Sequence, residues 1–262
     1  MTKVSDIAKY FSEKIPAEMK MDFDNVGLLV GIESAKVHRV LLALDITDAV
    51  LDEAAELGAE LIISHHPLFF DLKRVSSAEP DGRKIIKMLQ HGISALCLHT
   101  NFDGVDGGVN DALARALLVS PEGRLETLKT SDSTEYGIGR YGSLSAPMSM
   151  QDYLAHVKAA LKTSGIRYHS SGRDVSRVAL CGGSGGEYVQ RSAALGCDTL
   201  VTADVKYHQF LLARELGINL LDADHFCTEN VAMPVLLDML TAAFPDVTAQ
   251  ISTVHAQTVK FF

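Results

Sequence analysis

Tryptophan is missing from this chain, and aromatic residues supply only 6% of it, so no aromatic base-stacking cluster is expected. Cysteine is scarce and dispersed. Cys97, Cys181, Cys197 and Cys227 never form a C-x-x-C pair, and each falls in or beside an apolar run. There, cysteine behaves as a small buried hydrophobe, so the thiols are expected reduced and no thiolate metal cluster is expected. Positive charge is also short: 24 Lys and Arg face 33 Asp and Glu, a formal net charge of -9, with no Lys/Arg block. The electrostatic term behind most nucleic-acid binding is therefore missing, and neither nucleic-acid binding nor a DNA-threading ring is expected. No apolar run approaches the length of a membrane span, and the first residues, Met1-Thr2-Lys3-Val4-Ser5-Asp6, carry no apolar signal region. No membrane association and a cytoplasmic location are the expectations.

What the chain does have is a large apolar content, 47% of 262 residues, enough for one large domain or two lobes. An amphipathic opening helix is read over 4–15. Short β-rich runs at 40–44, 61–63 and 95–98 then alternate with helical patterns at 48–57 and 83–90. That alternation predicts an α/β layer fold with mostly parallel strands. Residues 121–150 are less periodic and richer in Gly and Ser, with a strand candidate at 135–144, and read as the boundary between lobes.

Beyond that stretch the first pattern returns. Val37-His38-Arg39-Val40 reappears as Val175-Ser176-Arg177-Val178, and the Leu57-Gly58 turn as Leu195-Gly196, both 138 residues on. Gly92-Ile93 matches Gly217-Ile218 at a spacing of 125, and His99…Asp103 matches His225…Glu229 at 126. The expected architecture is two related α/β lobes, 1–120 and 121–262, from an internal duplication, with a metal site between them; chance similarity of two generic α/β units is the competing reading. In open α/β sheets, ligands collect beyond the carboxyl ends of the strands.

The chemistry-bearing motifs fall at those ends. Ser64-His65-His66-Pro67 closes a strand, and Pro67 favours extended geometry before it. Neighbouring extended residues point to opposite sides, so His65 and His66 suit two ions better than one; a histidine pair without a ligand role remains open. His225 and Glu229 share a face if their turn is helical, and a carboxylate there could bridge two cations. His99 and Asp103 repeat the spacing, although Asn101 and Gly104 suggest a loop. Imidazole and carboxylate donors suit a borderline divalent ion such as Zn²⁺, Mn²⁺, Fe²⁺ or Co²⁺.

Other polar motifs leave two readings each. Gly182-Gly183-Ser184-Gly185-Gly186 after Cys181 could cradle a phosphate ahead of a helix or simply make a tight turn. Gly107-Gly108-Val109-Asn110-Asp111 reads as a helix start with Asn110 or Asp111 as cap. Asp204-Val205-Lys206-Tyr207-His208 holds the position in the second lobe that His65-His66-Pro67 holds in the first. It could contact substrate, orient a ligand, or start a helix with Asp204 as cap. Asp24-Asn25-Val26-Gly27-Leu28 is a turn before a strand, and Asp45 ends a strand, where capping is the stronger reading and support of a ligand the weaker.

As a set, these residues resemble the motifs of the NIF-three-like family of dinuclear-metal proteins, whose members commonly carry the name GTP cyclohydrolase I type 2. The resemblance runs from Asp24-Asn25-Val26-Gly27-Leu28 through the His65, His99, Gly107 and Asp204 motifs to His225-Phe226-Cys227-Thr228-Glu229. It implies that His65 and His225 bind one metal, His66 and Asp103 another, and Glu229 bridges both, giving two divalent ions per subunit. It further implies a two-lobed subunit in a toroidal homohexamer. Phe23 stands where many members carry Trp, Asp224 where Gly is usual, and Ala203 where Gly is common; none removes a ligand. The 121–150 segment leaves no room for the additional domain of longer members.

A hydrolase in which metal-activated water attacks a nucleotide, with GTP ring opening implied by the family, is the expected activity, and His99 or His208 is the expected proton-transfer group. The alternative is a non-catalytic metal-binding ring that carries ions or scaffolds an assembly.

Overall fold

The computed structural model describes residues 1–261, which fall into two compact units. The first comprises residues 1–102 and 233–256, the second 103–232 with the terminal segment from 257. The first unit begins with α1 (Val4–Lys14), β1 (Gly27–Val30), β2 (Arg39–Ala43), α2 (Asp48–Leu57), β3 (Leu61–Ser64), α3 (Pro80–Gln90) and β4 (Ser94–Cys97). Short α4 (Thr100–Gly104) leads onward. The second unit carries α5 (Val109–Ala116), β5 (Ser120–Gly123), β6 (Leu128–Lys129), β7 (Glu135–Tyr136), β8 (Arg140–Met148), α6 (Met150–Leu161), β9 (Arg167–His169) and β10 (Val175–Ser184). It continues with α7 (Val189–Ala194), β11 (Thr199–Ala203), α8 (Tyr207–Leu216), β12 (Asn219–Asp222) and α9 (His225–Asn230), and the chain closes with α10 (Met233–Ala243) and β13 (Thr248–Ile251).

In the first unit the sheet order is β1-β4-β3-β2-β13, parallel except for β1. Every residue of β3 and β4 is buried, as expected for parallel strands covered on both faces, and this is why they read as continuous apolar runs. Helix α1 buries Val4, Ile7 and Phe11, one stripe at helical spacing. Thr47 caps α2 by accepting from the Val50 amide at 3.2 Å, and Gly58 ends it in the left-handed conformation.

In the second unit the order is β5-β8-β10-β11-β12-β9, with β10, β11 and β12 parallel and the outer strands antiparallel; β6 and β7 pair separately. The fold is therefore mixed α/β with several sheets. Residues 121–150, read from sequence as a boundary, form most of β5 to β8. Their antiparallel, half-exposed character breaks the parallel-strand pattern without ending a unit. The compact division lies instead at Phe102/Asp103, and residues 233–256 return to the first unit because β13 adds in parallel to β2.

The two units repeat local hydrogen bonding in detail. The Glu60 carboxylate accepts from the amides of His38 (3.0 Å) and Arg39 (2.8 Å), and that of Asp198, 138 residues on, from Ser176 (3.1 Å) and Arg177 (2.8 Å). The guanidinium of Arg39 donates to the Leu57 carbonyl, and that of Arg177 to the Leu195 carbonyl. The Leu98 amide bonds the Ser64 carbonyl, and the Ala223 amide bonds that of Thr202. By this register His99 corresponds to Asp224 and Thr100 to His225, so the sequence match of His99…Asp103 to His225…Glu229 is one residue out of step.

Candidate metal centre

In the first unit three imidazoles gather beyond the ends of β3 and β4. Strand β3 stops at Ser64, and the next backbone is fixed by the His66 amide on the Leu44 carbonyl (2.9 Å) and the Ser64 hydroxyl on the His66 carbonyl (2.8 Å). Because the strand has ended, the alternation expected to splay His65 and His66 does not apply: their ring centroids are 5.1 Å apart. Donor atoms of His65, His66 and His99 all lie within 4.8 Å of one another.

Each ring is turned by an acceptor at Nδ1. His65 is fully buried and donates to the Leu98 carbonyl at 2.9 Å; His66 meets Asp45 Oδ1 at 2.7 Å and His99 meets Asp24 Oδ1 at 2.8 Å. A carbonyl or an ionised carboxylate only accepts, so Nδ1 carries the hydrogen and Nε2 carries the lone pair. This is the outer-shell arrangement that orients metal-binding histidines. Asp45 is therefore an orienting group and not a cap; Thr47 caps α2. Asp24, in the turn before β1, is buried and also accepts from the Thr100 amide at 3.0 Å and the Thr100 hydroxyl. Burial opposes its charge, but the bonds from His99 and Thr100 win and hold its carboxyl well below the usual range. Its motif carries part of the family resemblance, but its orienting role leaves no local trace in sequence, because its partners lie 75 and 76 residues away.

In the second unit His225 opens α9 and Glu229 follows one turn later, with His225 Nε2 3.1 Å from Glu229 Oε2. Asp204, at positive φ of 52°, meets His225 Nδ1 at 2.7 Å. Of the readings open for Asp204, the orienting one describes it; α8 starts after Lys206. Burial lowers the His225 pKa, but Glu229 and Asp204 outweigh it and raise it to about 9. Glu229 is 3% exposed.

The glycine turn serves this glutamate. The Gly182 amide already donates to Asn110 Oδ1 (3.0 Å) and that of Gly183 to the Thr228 hydroxyl (3.0 Å), so these two donors are committed and do not form a phosphate cradle. Gly183 has φ of +62°, and a Cβ there would stand 2.2 Å from Glu229 Oε1. The glycine lets backbone pass directly beside the carboxylate. Asn110, read as a cap, is a strut: it accepts from Gly182 and donates to the Asp103 carbonyl at 3.0 Å. Gly108 occupies the N-cap of α5, and Asp111 accepts from the Gly107 amide at 2.7 Å. Asp103 lies in α4, a short helix where a loop was expected. His208 is exposed on α8, and among the described residues no hydrogen bond or ion pair joins it to Asp204, His225 or Glu229.

All four cysteines are buried and unpaired by disulfide. Nitrogen and carboxylate donors are thus the chemistry offered, and oriented Nε2 atoms with buried acids fit a borderline divalent cation.

The fold and these donor sets define an α/β protein with histidine-rich groups at strand ends. The chain belongs to the Duf34/NIF3 (NGG1p interacting factor 3) family, whose model matches residues 2–260. A Clostridium perfringens relative called GTP cyclohydrolase 1 type 2 homolog is 37% identical over 239 residues, covering 90% of this chain and 88% of the relative. A Streptomyces coelicolor protein of the same name is 33% identical, covering 87% of this chain and 82% of that one. Among solved structures, Staphylococcus aureus SA1388 aligns with a TM-score of 0.90 at 27% identity over 99% of both chains. A Bacillus cereus protein related to NIF3 shares the fold, with a TM-score of 0.92 at 24% identity, covering 100% of this chain and 99% of that one. No helix among the described residues is long and apolar enough to cross a membrane.

Proposed function

We propose that this protein is a metal-dependent hydrolase that holds two divalent ions through His65, His66, Asp103, His225 and Glu229 and acts on a nucleotide. The observation that carries this reading is the common posture of the first-unit histidines: His65, His66 and His99 each have Nδ1 on a carbonyl or carboxylate, which leaves the lone pair on Nε2, and His225 is oriented in the same way at Nδ1 by Asp204. The names of the relatives support a cyclohydrolase-type ring opening as the reaction. When bound, divalent ions supply Lewis-acid activation of water and neutralise developing negative charge.

The chain's own groups do the rest. Asp24 fixes His99 through Nδ1, so His99 takes or returns a proton at Nε2; His208 is the second candidate for proton transfer. Glu229 and Asp103 provide the anionic charge that balances the cations. The matching Glu60 and Asp198 networks support the two units as copies of one α/β pattern, and the family resemblance supports a homohexamer.

The test is metal content per chain by inductively coupled plasma mass spectrometry, on untagged protein purified without chelator, beside Glu229→Ala and His99→Ala. Close to two ions, falling sharply in Glu229→Ala but kept in His99→Ala, together with metal-dependent nucleotide turnover lost in His99→Ala, is the expected result. Metal loss in His99→Ala would make it a ligand. Bound metal without turnover, released readily to a competing chelator, would favour the carrier or scaffold reading.

A further inference from the structure

Two aromatic side chains beside the first-unit histidines have no part in the reading above. Phe23 is 69% exposed and Phe70 55% exposed, although burying such rings is among the larger apolar gains open to a fold. Their centroids are 6.3 Å apart with planes tilted by 45°, and Phe70 packs edge-on to His99 at 5.9 Å. The backbones that carry them are pinned to the same cluster. Phe23 precedes Asp24, whose carboxylate grips His99 and Thr100, and the Asn25 side-chain amide donates to the Phe69 carbonyl at 2.9 Å. One turn, residues 23–25, thus positions both rings and the imidazole together.

At this spacing and tilt the rings touch each other and leave no slot between them. They form a shelf with its open faces toward solvent. Exposed charged residues neighbour the rings along the chain: Asp22 precedes Phe23, and Asp71, Lys73 and Arg74 follow Phe70. The ring pair itself is small and flat, and although Leu72 and Val75 further along the same segment are also exposed, only Phe23 and Phe70 pack together beside His99, which matches a single flat ligand whose edges are polar.

We propose that Phe23 and Phe70 are a stacking shelf that takes a planar nitrogen heterocycle of purine or pteridine size and sets it beside His65, His66 and His99. The proposal rests on the metal-hydrolase reading of this site and deepens it, by naming the part of the substrate the chain grips and the residues that grip it. Stacking on an aromatic side chain is tolerant of ring identity, since every such heterocycle has a π face. The shelf consequently selects for flatness, and discrimination among flat rings falls to other groups.

The test uses two fluorescent probes, 2-aminopurine riboside and pterin, titrated into protein purified without chelator. Wild type is compared with Phe23→Ala, Phe70→Ala and Phe70→Trp, with metal content and mass by light scattering measured on each. Saturable quenching of at least one probe is expected, weakened about 10-fold by either alanine, as for loss of one stacking partner. Phe70→Trp should retain it, and dihydrouridine, which is not planar, should not compete. Metal content should be the same in all four proteins. Quenching of neither probe by metal-loaded wild type, or affinity in both alanine variants equal to that of wild type, would overturn the shelf. A change of oligomeric mass in the alanine variants would overturn it too, by assigning the rings to a contact between copies. Shelf-dependent quenching in protein that binds no metal would uphold the shelf while sinking the metal reading.

Discussion

Asp24, Asp45 and Asp204 do one job from three places: a short side chain turns an imidazole by accepting a hydrogen bond from its Nδ1. Losing such a partner leaves the ring able to rotate and to change tautomer, with typical costs of 10–100-fold in metal affinity. Asp45→Ala is expected to weaken metal binding by about that factor, read by competition with a chromogenic chelator, while leaving the fold intact. Gly183 is a sharper case. Its positive φ costs an L side chain roughly 1–2 kcal/mol, and the added methyl would strike Glu229. Gly183→Ala should lower thermal stability and deplete bound metal together, whereas Gly58→Ala, at a φ of +65° with nothing within 4 Å, should show the stability loss alone. At this scale the sequence named candidate donors, and among their supports it offered the orienting reading for Asp204 and only weakly for Asp45. His65, His225 and Glu229 stand in short motifs, but Asp24 becomes meaningful only when the fold brings it to His99, and Gly183 only when Glu229 arrives beside it.

Elements were more legible than their supports. The apolar runs gave β2, β3 and β4 within a residue because parallel strands are buried on both faces, and Thr47 and Gly58 bracket α2 as capping chemistry requires. The β5–β8 region was harder, since its half-exposed antiparallel strands and glycines carry the same composition as a linker. The loop reading of residues 99–104 failed because Asn101 is not a turn residue there: it is buried and donates to the Ile15 carbonyl at 3.0 Å. A second device at this scale is the Glu60 carboxylate that joins β2 to the start of β3. Burial raises its pKa, but the amides of Arg39 and His38 with the His38 ring outweigh this and lower it below the usual value of 4.5. A depressed acid stabilises the fold above its unfolded pKa, and that stabilisation drains away as pH falls through the folded value. Acid unfolding followed by circular dichroism should show Glu60→Gln less stable than wild type at pH 7, with the two curves converging as pH falls through the lowered folded-state pKa.

On the scale of the whole molecule, the second unit is an insertion: its main body, residues 103–232, interrupts a first unit that needs residues 233–256 to finish. Strand β2 lies between β3 and β13, and its residues from Val40 to Ala43 are buried. Removing residues 245–262 would strip β13 and leave a buried apolar edge open to other chains. That truncation should yield aggregated protein or a first unit that melts well before the second, seen as a split transition by calorimetry. The alternation of elements foretold a mixed α/β fold, but not the return of residues 233–256 to the first unit, because strand pairing between residues some 200 positions apart leaves no local trace.

The late return of β13 has a consequence for biosynthesis. Strand β2 emerges from the ribosome about 200 residues ahead of its neighbour, an interval of roughly 10–40 s at ordinary elongation rates. During that time the inserted body can complete itself, while the earlier sheet waits with one side unguarded. A nascent chain of this design is exposed to chaperones, and to mispairing, on the part made first.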